Sequence, residues 1–139
     1  MRLRSFAVLP LFLVAAHRLH AQASSPADDA EKASRTQLKS DLRNLVVAQE
    51  AYYADHNAYA DVIDNLKYKA SAGSQVSLVA TQNNAWAAVA TDASRPGKSC
   101  VLYINLAEKY RPKTLQEKRL GTNNEEGAPI CDGDAKPPL

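Results

Sequence analysis

The stretch that decides the fold is LKSDLRNLVVAQEAYYAD, residues 38–55. Its apolar and aromatic residues recur every three or four positions, and at 100° per residue they cover an arc of about 120°. A helix that packs one face on a core has an arc of this width. The members of the face are Leu38, Leu42, Leu45, Val46, Tyr52 and Tyr53. Gln49 lies in the middle of the face, and Val47 falls outside it.

The helix extends toward the N-terminus. Ser25 is placed to cap it, Pro26 suits the first helical position, and Asp28 stands where a capping box takes an acid. Residues 24–36 lack an apolar face, so we expect an exposed helix start that projects into solvent or frays. Asn57 is a suitable left-handed residue to end the helix.

Three strand-like runs follow, at residues 75–81, 85–91 and 99–105, separated by turns at 82–84 and 95–98. The first run places Val76, Leu78 and Ala80 on one side, and the second places Trp86, Ala88 and Ala90 on one side. Short connections favour an antiparallel meander. The predicted fold class is therefore α+β: a long N-terminal amphipathic helix packed on three or four antiparallel strands.

The first 23 residues have the pattern of a secretory signal peptide. Arg2 and Arg4 precede an apolar run at residues 6–16, and residues 21–23 read Ala-Gln-Ala, which predicts cleavage after Ala23. The alternative is a membrane anchor, but about 11 residues of helix span only roughly 16 Å. We therefore expect a periplasmic or extracellular protein with no stable membrane insertion after cleavage.

Cleavage changes the charge of the chain. The full sequence has 17 basic and 15 acidic residues, and three arginines leave with the signal, so the remaining domain has a net charge of about −1. A clustered basic face is what nucleic-acid binding needs, so we expect no nucleic-acid partner. Residues 109–119 are locally basic, and could meet an acidic partner or an anionic surface, or form a solvated loop.

Cys100 and Cys131 are the only cysteines. An even count in an exported chain favours a disulfide, which would fix the C-terminal loop to the third strand; two free thiols are the alternative. Helical turns are possible within the loop, at residues 107–110 and 114–120. Residues 133–139 are polar and proline-rich, which predicts a flexible tail.

The run at residues 38–55, the Tyr59 that follows it, the strand with Trp86 and the late cysteine pair together resemble type IV pilins and the pseudopilins of type II secretion. The resemblance covers roughly residues 36–132 and implies the fold of a pilin head. The family's prepilin leader and hydrophobic half-helix have no counterpart in the polar residues 24–37. Filament assembly is therefore not implied, and residues 132–134 (Asp-Gly-Asp) only faintly resemble a pseudopilin calcium loop.

No catalytic residue, cofactor or metal site is predicted. His56 lies near Asp61 and Asp64, but a solvated helix end explains these residues as well as an acid–base or metal cluster does. The tyrosines, Tyr59 among them, and Trp86 are assigned to packing between helix and sheet. We therefore expect a non-enzymatic interaction or structural module that binds another protein or a cell-surface component. The alternatives are a minor component of a pilus or secretion apparatus, docking through residues 25–37, and a secreted enzyme.

Overall fold

The structure is a computed structural model that describes residues 24–82, 84–120 and 127–135. Its elements are a long helix, four strands and two short 3₁₀ turns. They are α1 (Pro26–His56), β1 (Ser74–Gln82), β2 (Ala85–Asp92), β3 (Ser99–Ile104) and β4 (Ile130–Cys131), with 3₁₀ turns at Ile63–Asn65 and Glu108–Tyr110. The strands form one antiparallel sheet in the order β1-β2-β3-β4. The α+β class is confirmed. The predicted signal peptide, residues 1–23, lies outside the described residues.

Local chemistry explains both ends of α1. The Ser25 hydroxyl accepts the backbone N–H of Asp28, and the Asp28 carboxylate accepts the backbone N–H of Ser25, so the predicted capping box is present. At the other end Asn57 adopts φ 54° and ψ 28°, and its N–H donates to the carbonyl of Tyr53. This left-handed residue ends the helix as predicted.

The core lies between α1 and the sheet. From the helix, Leu38, Leu42 and Leu45 are buried, and Val46 and Tyr52 are half-buried against them. The sheet contributes Trp86, Ala88, Ala90, Cys100 and Leu102, all fully buried. Alanines on β2 bring the backbone of the sheet close to the helix. Val47 is 69% exposed, as its position outside the predicted face requires.

One strand prediction is wrong in its second half. Val76 and Leu78 pack against the helix-side core, but Ala80 packs with Ala85 and Ala87 on the opposite face. The register shifts between Leu78 and Ala80, so the chain carries an extra residue there. A β-bulge of this kind reverses the alternation of side chains after it.

The segment that follows β3 begins on the sheet face that turns away from α1, where Leu106 packs with Ala85, Ala87 and Tyr103. The turn at Glu108–Tyr110 agrees with the predicted helical turn at 107–110. Residues 114–120 do not form a helical turn. Lys113 instead pairs with Leu120 in an isolated antiparallel bridge, and the Thr114 N–H donates to the carbonyl of Arg119. The disulfide Cys100–Cys131 joins β3 to β4.

The start of α1 is not free over its whole predicted length. Residues 24–30 are exposed, but Glu31, Ser34 and Arg35 are half-buried against the end of the sheet. Glu31 forms an ion pair with Lys98, and Ser34 donates to a carboxylate oxygen of Asp92 at 2.5 Å. These contacts correct the expectation of an exposed or frayed segment for residues 31–35, because the expectation considered only apolar packing.

Candidate functional site

The segment after α1 lies beside the helix because polar side chains of the helix hold its backbone. The Gln49 amide donates to the carbonyl of Ala60 at 3.0 Å and accepts the N–H of Ala60 at 2.9 Å, and both residues are fully buried. The side-chain amide thus binds both the N–H and the C=O of one residue, as the backbone of a neighbouring β-strand does. Gln49 therefore belongs in the apolar face and fixes the loop that follows the helix.

Asp41 holds the same segment farther along. One oxygen of its buried carboxylate accepts the backbone N–H and the hydroxyl of Ser71, at 3.1 and 2.7 Å. The second oxygen, and the nearby hydroxyl of Tyr68, have no hydrogen-bond partner among the described residues. Burial, with a smaller contribution from the charge of Asp41, raises the pKa of Tyr68 to about 12.

A groove lies between the outer side of α1 and residues 65–67 of the segment that follows the helix. Its volume is about 450 Å³. Most of the exposed surface of its lining is apolar, and the apolar residues are Val47, Ala48 and Ala51 from the helix and Leu66 from the segment after it. The other lining residues are Asn44, Tyr52, Asp55, His56, Asn65 and Lys67.

The sequence pattern did not show this groove, because only Val47 stood out from the predicted helix face. The other apolar lining residues of the helix are alanines. Their small side chains leave the space that the groove occupies, and Asn65, Leu66 and Lys67 supply the opposite wall. An open apolar concavity with polar edges is the commonest form of a binding site.

The structure places His56, for which a helix-end role and an acid–base or metal cluster were both considered, against Tyr52. The His56 ring stacks on Tyr52 with centroids 3.9 Å apart, and its Nδ1 lies 2.9 Å from the Tyr52 carbonyl oxygen. Asp61 and Asp64 are exposed. No group of three or more histidine, cysteine, aspartate or glutamate residues is placed to hold a metal ion in the described part of the chain.

The aromatic residues form a partly exposed chain from the helix end to the core. The rings of Tyr53 and Tyr59 lie 4.7 Å apart, and Tyr59 meets Trp86 edge-on at 6.1 Å. The Tyr59 hydroxyl donates to Glu50 at 2.8 Å. The structure therefore places Tyr59 between Trp86 in the core and the exposed helix end.

Asp132 organises the opposite end of the domain. Its buried carboxylate accepts backbone N–H groups from Ser99 at 2.9 Å, Glu117 at 2.7 Å and Gln116 at 3.3 Å. Burial raises the pKa of Asp132, but these hydrogen bonds, with one from Thr114, outweigh it and hold the pKa below its usual value. The Asp132 carboxylate thus links the residue that follows β4 to Ser99 of β3 and to residues 116–117.

Residues 133–135, the first part of the predicted flexible tail, contact the rest of the domain; residues 136–139 lie outside the described residues. Arg35 donates to the carbonyl of Gly133, and Lys39 forms an ion pair with Asp134 at 2.8 Å. Arg119 donates to the carbonyls of Asp134 and Ala135. The carboxylates of the Asp-Gly-Asp run therefore bind protein groups.

The basic segment is divided between packing and solvent. The Arg111 guanidinium lies over the Tyr103 ring at 4.1 Å and donates to the carbonyl of Leu106 at 3.0 Å. Arg119 binds the C-terminal backbone. The lysines of the segment, Lys109, Lys113 and Lys118, are exposed.

Comparison with models of protein families, with curated proteins and with solved structures finds no match. Within the described residues, no helix has the length and apolar character needed to cross a membrane. The groove beside α1 is therefore considered on its own geometry.

Proposed function

We propose that this chain is an exported, pilin-like, non-enzymatic module that binds another protein or a cell-surface component through the groove beside α1. The observation that carries the proposal is the exposed apolar lining of this groove. Val47 is 69% exposed in a position where a lysine or glutamate would be expected on a solvated helix face.

The size of the groove supports binding of a side chain or a short segment of a partner. About 450 Å³ falls within the usual range of ligand sites. Lys67 and Asp55 stand among the polar residues around it, so both signs of charge are available to orient a partner. Ala48 and Ala51 let a partner approach the helix backbone closely.

The use of the buried carboxylates supports a binding role over an enzymatic one. Asp132 accepts three backbone N–H groups, and Asp41 accepts two hydrogen bonds from Ser71. Carboxylates committed in this way stabilise the fold. The backbone hydrogen bonds to Asp132 would have to break before this acid could transfer a proton to a substrate.

Three features support export and a pilin-like head. The disulfide Cys100–Cys131 suits an oxidising compartment. The sequence of residues 1–23 has the order of a signal peptide. The long helix on an antiparallel sheet is the layout that the family resemblance implies.

Site-specific photo-crosslinking tests the proposal. A crosslinking amino acid replaces Val47 in one variant and the exposed Lys113, far along the chain, in the control. We expect one identified protein or surface component to be captured at position 47 and not at position 113. Equal capture at both positions, or none at position 47 in the cells that make the protein, would reject the groove as the binding site.

The exposed start of α1 supports a second candidate, a minor component of a pilus or secretion apparatus. Residues 26–30 are exposed yet helical, and a capping box orders the start of the helix. Reversing the charge of Lys32 while leaving the groove intact would then abolish recovery of pilus or secretion proteins. If the Lys32→Glu variant recovers them as well as the unaltered protein does, the helix start is not the docking site.

A further inference from the structure

The outer edge of β1 is an unprotected sheet edge. Within the part of the chain that the structure describes, β1 has a single neighbour in the sheet, β2, and lies at the end of the strand order. From Gln75 to Gln82 its backbone makes no hydrogen bond outside the pairing with β2 in the described residues. A row of outward N–H and C=O groups is therefore available to another strand.

The composition of this edge is unusual for a free edge. No charged residue occurs from Ala70 to Thr91, although 23% of the chain is charged. Exposed edge strands normally carry lysine, another charge or proline, because these residues prevent a second strand from pairing. The exposed side chains of β1 are instead glutamine, serine and valine.

The bulge limits the part of the edge that can pair. Burial alternates regularly from Ser74 to Leu78, with Gln75 and Ser77 exposed. After Leu78 the register shifts and Val79 is the extra residue, 51% exposed. A bulge bends the strand and interrupts a ladder, so the regular edge is limited to the first five residues of β1. At its start the Ser74 N–H already donates to the Ser71 carbonyl at 3.0 Å, so the free backbone groups lie from the Ser74 carbonyl onward.

We propose that two copies of this chain pair antiparallel through Ser74–Leu78 of β1, forming a weak, closed dimer with one continuous sheet. A twofold axis at Val76 places Val76 opposite its equivalent and Gln75 opposite Ser77 of the second copy. No charge is brought against a like charge, so the edge is complementary to itself.

The geometry closes after two copies. An antiparallel pairing about a twofold axis uses the same edge of both chains, so no β1 edge remains to add a third. The opposite edge of the sheet is β4, only two residues long and tied to β3 by the disulfide. The dimer is small and reversible because five residues form the pairing.

Sedimentation velocity over a concentration series tests this pairing. The unaltered protein should shift from monomer toward dimer as concentration rises. The double variant Gln75→Lys, Ser77→Lys places two like-charge pairs across the axis and should weaken the dimer about tenfold or more. The matched control Val47→Lys, Ala51→Lys adds the same charge in the groove and should dimerise as the unaltered protein does.

Register-specific disulfide formation is the second readout, and it uses smaller substitutions. A mixture of the Gln75→Cys and Ser77→Cys variants should oxidise to a mixed dimer in higher yield than either variant alone, because these positions face each other. A protein that stays monomeric at all concentrations, a lysine variant that dimerises normally, or no preference for the mixed dimer would overturn the proposal. So would loss of the dimer in the groove control, which would place the interface on α1.

This inference and the proposed groove function use separate residues and fail separately. The lysine pair on β1 leaves the groove unaltered, and the lysine pair in the groove leaves β1 unaltered.

Discussion

Replacing Gln49 by leucine removes the contact that holds Ala60, in the loop after α1, against the helix. Leucine has a similar volume and higher hydrophobicity, so an argument from apolar packing alone predicts a neutral or stabilising change. The structure predicts the opposite, because the N–H and C=O of Ala60 are buried and both lose their partner. Each buried group left unpaired costs about 1–3 kcal/mol, so we expect a loss of about 2–5 kcal/mol in the free energy of unfolding.

Equilibrium urea unfolding measures this loss, with Gln37→Leu as the matched control. The Gln37 amide also donates two hydrogen bonds, to the Ala72 carbonyl and the Ser74 hydroxyl at 3.1 Å, but Gln37 is exposed. Water can replace those contacts, so the control should lose less than about 1 kcal/mol. A Gln49→Leu variant as stable as the unaltered protein, or a control that loses as much, would refute the reasoning.

Other predictions concern the carboxylates of Asp132 and Asp92 and the disulfide Cys100–Cys131. Asp132→Asn should cost about 2–4 kcal/mol in urea unfolding, because an amide replaces a charged acceptor of three backbone N–H groups; Asp64→Asn, at an exposed position, should cost less than about 0.5 kcal/mol. The folded-state pKa of Asp132, like that of Asp92, lies below the usual 3.8. The stability from these groups is therefore complete well above pH 4 and falls as the pH drops through their folded pKa values, so thermal unfolding should shift downward below about pH 4, and less in Asp132→Asn. Reducing the Cys100–Cys131 disulfide should cost about 3–4 kcal/mol for a loop of this length, and the double serine variant should match the reduced protein; unchanged unfolding on reduction would contradict a structural role.

The sequence predicted what periodicity and local chemistry determine. The face of α1 follows from residues spaced by threes and fours, and Ser25 and Asn57 mark its ends through hydrogen bonds with residues three or four positions away. The three long strands were recognised because each is bounded by a turn. Their order in the sheet followed from the short connections between them.

The sequence did not predict features that depend on partners far along the chain. Asp132 binds Ser99, 33 residues earlier, and Glu31 binds Lys98, 67 residues later. An aspartate or a glutamate in the sequence does not indicate which distant residue it will bind. The β-bulge at Val79 is a property of the β1–β2 pairing, so alternation within β1 alone placed Ala80 on the wrong face.

The sequence did not predict the candidate groove either, because the groove also depends on contacts between distant parts of the chain. Gln49 was recognised as out of place in an apolar face, but its partner is a backbone, which carries no sequence signature. The groove combines Val47 and Ala51 of α1 with Leu66, which follows Ala60 by six residues, so its lining is not contiguous in the sequence.

The proposed binding function depends on the groove accepting a partner. Once photo-crosslinking at position 47 has identified that partner, the affinity of the purified pair is the most direct test. We expect Ala51→Lys to weaken binding about tenfold or more, because it places a charge on the apolar lining, while Gln75→Lys on β1 binds as the unaltered protein does. Equal affinity of the Ala51→Lys variant and the unaltered protein would contradict the account.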